Sequence, residues 1–220
     1  MQKFTLVFGL LFSSTVACWA QTGVQVGAKA GLNLAVLDGS INQDTKFKPG
    51  FHFGGVLRWR PTAHFALQPE LVYSQQGSNN EIPVGPGVAL ENKTKLSYLN
   101  IPVLAKIYLG NVVNLQVGPQ FGLLLAAQRE GQVGYYASSN GSGFRTEDVD
   151  VKDNYKGDVA LCAGLGADLK NGLLLSARLN YGVTDINNDE SQKQLRDYLD
   201  IGGLHNRVVE FSVGYLFGSK

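Results

Sequence analysis

Eight stretches of about ten residues alternate apolar and polar side chains, and the connections between them alternate strictly between short and long. Period-two alternation builds a strand with one apolar face. Strict short/long alternation suits an antiparallel up-and-down barrel, with tight turns on one rim and long loops on the other. The pattern places strands at about 24–34, 51–60, 65–76, 96–109, 113–126, 158–169, 173–183 and 207–217. The three short links, around 61–64, 110–112 and 170–172, all follow even-numbered strands and so share a rim. Lys170-Asn171-Gly172 carries the Asn-Gly signature of a tight hairpin.

Residues 1–20 read as a cleaved signal peptide, with Lys3, an apolar stretch from Phe4 to Val16, and Ala20 before Gln21. The apolar run is shorter than the roughly 20 residues of a spanning helix. Thr15-Val16-Ala17-Cys18 faintly resembles a lipoprotein processing site, with Thr15 where Leu is usual. The remainder, 21–220, is the length of one domain. Loss of Lys3 leaves 18 cationic and 18 anionic side chains, which argues against a nucleic-acid footprint. Cys162 then stands alone, so no disulfide framework exists. Without an apolar helix, the membrane-spanning option is a closed barrel.

Both a soluble sandwich and a membrane barrel produce such alternation, with opposite faces buried. Three features favour lipid on the apolar side. The polar rows are rich in Gly, Ser, Asn and Gln, which suit a narrow lumen. Trp59, Phe65, Tyr181, Tyr215 and Phe217 lie near strand ends, where an interfacial girdle belongs. The short links lie on one rim. Pro69, Pro102 and Pro119 fall inside strands, where bulges are expected to relieve the lost ladder bonds.

Several segments resemble the bacterial outer-membrane β-barrel family often labelled porin-like, which includes secretion-associated PorT-type proteins. They are Ala30-Gly31-Leu32-Asn33, the run from Lys48 to Gly54, the run from Leu67 to Gly77, and the run from Tyr98 to Lys106. The resemblance implies an all-β, eight-stranded antiparallel up-and-down transmembrane β-barrel in the outer membrane of a diderm bacterium, without catalytic residues or cofactor. Such barrels commonly end on an aromatic; here Gly218-Ser219-Lys220 follow Phe217.

The inward rows carry charge in two layers. Lys29, Glu70, Arg178 and Glu210 stand at one height, and Arg58, Lys106 and Asp168 lie nearer the short-link rim. An eight-stranded barrel is just wide enough for side chains to fill, so alternating signs at one height imply a paired plug. Closure of strand one on strand eight then brings Lys29 near Glu210. Of the three histidines, His52 with His205 is the pairing to test for catalysis. The third long loop, 127–156, contains Glu147-Asp148-Val149-Asp150-Val151-Lys152-Asp153, which lacks EF-hand spacing and is read as a solvated loop.

The expected role is structural, or binding and docking through long extracellular loops, with no catalysis, cofactor or metal. Its partners would be outer-membrane lipid, the membrane-insertion machinery and another envelope protein, with the chain itself monomeric. The alternatives are a narrow solute channel, an accessory factor of a secretion system, and a barrel enzyme at the outer rim.

Overall fold

A computed structural model describes residues 23–39, 45–85, 88–137 and 141–218. The leader lies outside the described residues, as do Ser219 and Lys220. The strands are β1 (Val24–Asp38), β2 (Thr45–Trp59), β3 (Phe65–Gly85), β4 (Val88–Leu109), β5 (Val113–Ala137), β6 (Gly141–Asp150), β7 (Asp158–Asp168), β8 (Leu173–Gly182) and β9 (His205–Phe217). One helix, α1 (Glu190–Tyr198), separates β8 from β9.

Eight strands form the ring, in the order β1-β2-β3-β4-β5-β7-β8-β9, and β9 closes on β1. Every pairing is antiparallel, with Val26 opposite Phe217 near the short-turn rim and Asp38 opposite His205 at the other. β6 stands outside the ring and pairs with β5 alone, Gln128 opposite Asp150 through Ala137 opposite Gly141.

The faces follow the sequence pattern. Leu32, Leu123 and Val213 point outward and are more than half exposed, whereas the opposite rows are buried. Outward rings gather at the rims: Phe53 and Tyr73 lie 5.3 Å apart at one, and Tyr215 and Phe217 lie 5.7 Å apart at the other.

The long-loop side departs from expectation. β5 runs for 25 residues, more than twice the 9–11 that a tilted strand needs to cross a bilayer. The connection 77–95 is largely a continuation of β3 and β4, and the segment read as a solvated loop at 127–156 is largely β5 and β6. Beyond the lipid zone both faces of a hairpin meet water, so alternation ceases to mark strands even where the ladder continues. α1 was equally silent as periodicity, but its start is marked by Asp189, whose side chain accepts from the amides of Ser191 and Gln192.

The inner prolines are accommodated without the expected bulges. Register runs unshifted from Pro69 opposite Val103 to Val72 opposite Asn100, and from Pro102 opposite Gln120 to Ala105 opposite Val117. The shifts lie elsewhere, between Phe47 and His52, between Pro83 and Gly85, and between Ser97 and Tyr98. The wall therefore skips ladder positions beside these prolines rather than adding residues.

Candidate functional site

The lumen is the site the strands build. Nearest the short turns, Asp168 gathers three donors: Arg58 Nη1 at 2.7 Å, Lys106 Nζ at 3.1 Å and the Tyr108 hydroxyl at 2.6 Å. Arg58 Nε also donates to Gln25 Oε1 at 3.0 Å. Lys106 Nζ donates to Gln68 Oε1 at 2.9 Å, and Gln68 Nε2 donates to Glu70 Oε1 at 2.7 Å. Gln68 thus joins the lower charge layer to the upper one.

In the upper layer Glu70 is the hub. Lys29 Nζ lies 2.6 Å from its carboxylate, and Arg178 Nη2 donates to it at 3.0 Å. Arg178 stands directly opposite Glu210 in the β8–β9 ladder, with 3.8 Å between the charged atoms. All seven charged side chains named from the sequence are buried. Lys29 does not meet Glu210, however. The β1–β9 register sets Lys29 opposite Gly214 and Asn33 opposite Glu210. Counting from strand ends overlooks the stagger that closing a barrel imposes on its strands.

A third layer lies above these. His52 Nδ1 is 2.6 Å from Asn33 Oδ1, and His52 Nε2 is 2.7 Å from Ser212 Oγ. The Asn33 amide nitrogen donates to the Phe51 carbonyl, Ser74 Oγ and the Gln75 carbonyl, so its Oδ1 must accept. His52 Nδ1 therefore carries a proton, and in the neutral ring Nε2 accepts from the Ser212 hydroxyl. Gly31 makes room for the ring: a Cβ there would sit 2.7 Å from His52 Cε1 and run into the Phe211 carbonyl.

This Ser-His-Asn order has the polarity of a nucleophile, its base and an orienting amide. Yet Asn33, His52 and Ser212 are all more than nine-tenths buried. Inside the lumen the cavity beside Ser212 measures about 10 Å³, room for one water-sized sphere; a larger open groove that also borders Ser212 lies among outward apolar residues such as Leu32, Leu165 and Phe211. The His52–His205 pairing singled out for testing does not form. His205 begins β9, seven residues above Ser212 and so roughly 23 Å along the strand. Ser212 and Asn33 escaped the sequence reading because only strand register brings them to His52.

Apolar side chains pack near both ends of the lumen. Val56, Leu174 and Leu216 cluster near the short turns. At the long-loop mouth Leu37, Leu96, Tyr98, Leu124 and Ala127 from the wall pack with Val151, Ile186 and Leu204. Above the wall's outward apolar residues, Lys95 and Glu130 pair at 2.7 Å. That hydrogen bond holds the Glu130 carboxyl below its ordinary range and the Lys95 ammonium above its own.

Residues 19–188 match the family model described as the outer membrane protein beta-barrel domain. The chain belongs to this family. Membership puts the barrel in a bacterial outer membrane, with its apolar exterior against lipid. No curated protein matches the sequence. Among solved structures, it is similar to Ail, the attachment invasion locus protein of Yersinia pestis, at 12% identity and a TM-score of 0.45, covering 88% of this chain and 99% of that one. Neisserial surface protein A is 14% identical with a TM-score of 0.41, over 88% of this chain and 96% of that one. OprG of Pseudomonas aeruginosa is 11% identical with a TM-score of 0.35, over 88% and 94%.

Proposed function

We propose that this outer-membrane barrel is a closed, non-catalytic scaffold that docks an envelope or external partner through its long-loop side. The observation that carries the reading is the filled lumen. Two ion-paired layers, a hydrogen-bonded His52 layer and apolar packing near each end leave no described path for a solute. The material that remains free to act is the crown: the upward extensions of β3, β4 and β5, the edge strand β6, and α1.

The same filling argues against catalysis by His52 and Ser212, since a substrate must displace the packed interior to reach them. The interior charges then serve as structure, their pairing offsetting the cost of burial. The deciding measurement is single-channel recording of the purified protein in planar bilayers. A closed scaffold adds no steps of conductance; stable, ion-selective steps would overturn the reading and restore the solute channel.

A further inference from the structure

The open groove on the outer wall is a furrow between two rows of apolar side chains. Val113, Ala167, Leu175 and Val213 stand opposite one another through three successive ladders. Two residues further from the short-turn rim, Leu165, Ala177, Phe211 and Leu32 form a parallel row. Between the rows the chain turns Gly166, Ser176 and Ser212 inward, so backbone makes the floor. Ala167 and Ala177 widen the furrow where their neighbours are Leu, Val and Phe. The rows stand two residues apart, about 7 Å, which admits a single extended chain. A helix, with a diameter of about 10 Å, does not enter.

The furrow runs obliquely. On β5 it begins at Val113, the first residue of the strand, whereas on β1 it ends at Leu32, eight residues beyond Val24. It crosses five strands spaced about 4.8 Å apart and so measures about 19 Å. With spanning strands tilted by about 45°, it rises about 13 Å, close to the ~15 Å half-thickness of a hydrocarbon core. Its length is therefore that of one leaflet, starting at the rim that short turns mark as periplasmic.

A cation stands at the low end. Lys170, on the β7–β8 turn three residues beyond Ala167, is exposed and enters no ion pair among the described residues. Asp168, the carboxylate nearest to it in sequence, points into the lumen and is taken by Arg58 and Lys106. Tyr215, part of the aromatic rim, lies opposite Leu173 at the far side of the same turn. The turn therefore sits at headgroup level.

The setting and the charge together name the occupant. The wall faces lipid, so the bilayer supplies acyl chains to the furrow, and Lys170 is placed for the phosphate above one of them. A phosphatidylethanolamine brings its own ammonium to compete for that phosphate; an anionic phospholipid does not. Lipid tails are as apolar as the wall, so retention comes from close contact along the furrow and from the ion pair.

We propose that this furrow and Lys170 form a binding site for one anionic phospholipid of the inner leaflet. The site lies at the opposite rim from the crown and is independent of the docking reading.

The test uses the full chain inserted in phosphatidylcholine vesicles. The probe is a phosphatidylglycerol with a diazirine midway along one acyl chain, and its phosphatidylcholine counterpart is run in parallel. After irradiation, mass spectrometry maps the labelled residues. The phosphatidylglycerol probe should mark the outward residues of β7, β8 and β9 about tenfold more than those of β2, β3 and β4. Lys170→Gln, on an exposed turn, should lower that enrichment about fivefold and leave the phosphatidylcholine probe unchanged. Ala167→Leu with Ala177→Leu fills the furrow, keeps the lipid face apolar and should remove most of the enrichment. An unchanged heat-shift on gels checks insertion of each variant, and Lys170→Gln alone decides if the filled variant does not insert.

Uniform labelling around the wall overturns the site. So does equal enrichment with both headgroups, or enrichment that survives Lys170→Gln or the filled furrow. Copy-to-copy cross-links through β8 and β9 would give the furrow to a second barrel and overturn the lipid assignment.

Discussion

Replacing Glu70 by Gln removes the hub of the upper charge layer while keeping its volume. At an effective dielectric constant of about 20, contacts at 2.6 and 3.0 Å to Lys29 and Arg178 each represent about 6 kcal/mol of gross attraction. Much of that repays the cost of taking the charges out of water. The net penalty of breaking a buried pair is about 3–5 kcal/mol, and Glu70→Gln should fall in that range because Lys29 and Arg178 are left facing one another. Glu210, 3.8 Å from Arg178, is the carboxylate left in the layer. Lys29→Met together with Glu70→Gln should then cost less than the two losses added, by about 2 kcal/mol. Lys29→Met with Glu210→Gln should show a coupling below about 1 kcal/mol, since register keeps those residues apart. Urea-driven folding equilibria in lipid vesicles measure these differences. Trp59 reports the transition, and it is the one tryptophan in a chain beginning at Gln21. Additive losses for Lys29 and Glu70 would mean that their charges do not meet, and larger coupling for Lys29 with Glu210 would refute the register argument.

Three further outcomes follow from the same geometry. Arg at Ala163, on the lipid face, should impair insertion by about 2–4 kcal/mol, whereas Ser at inward Asn100 should be far milder; folding yields into vesicles decide, and equal tolerance would contradict the faces. Gly164, also inward, is no such tolerant position, because a Cβ there would meet the Ala177 carbonyl and the Arg178 side chain. Ser212→Ala should cost about 1–2 kcal/mol by leaving His52 Nε2 without its donor, and a fluorophosphonate should fail to label the wild-type protein; labelling that disappears in Ser212→Ala would instead expose a working nucleophile. Terminal sequencing of the membrane-inserted protein should begin at Gln21, and a retained leader would contradict the signal-peptide reading.

Local sequence by itself determined the eight strands and their two faces, because alternation states which side chains share a face before any partner is known. It also determined that seven charges line the lumen, since Lys29, Arg58, Glu70, Lys106, Asp168, Arg178 and Glu210 sit on polar rows. Which charge meets which was beyond its reach. Pairing depends on register, and register depends on the stagger at which β9 closes on β1, a property of the closed ring rather than of any strand. The same cause hid the Asn33–His52–Ser212 chain, whose members come from β1, β2 and β9. Above the lipid, β6 and the upper parts of β3, β4 and β5 were invisible for a different reason. There the strands are held by their ladders, and neither 128–131 nor 146–150 has a buried face, so nothing in the side-chain pattern needs to alternate.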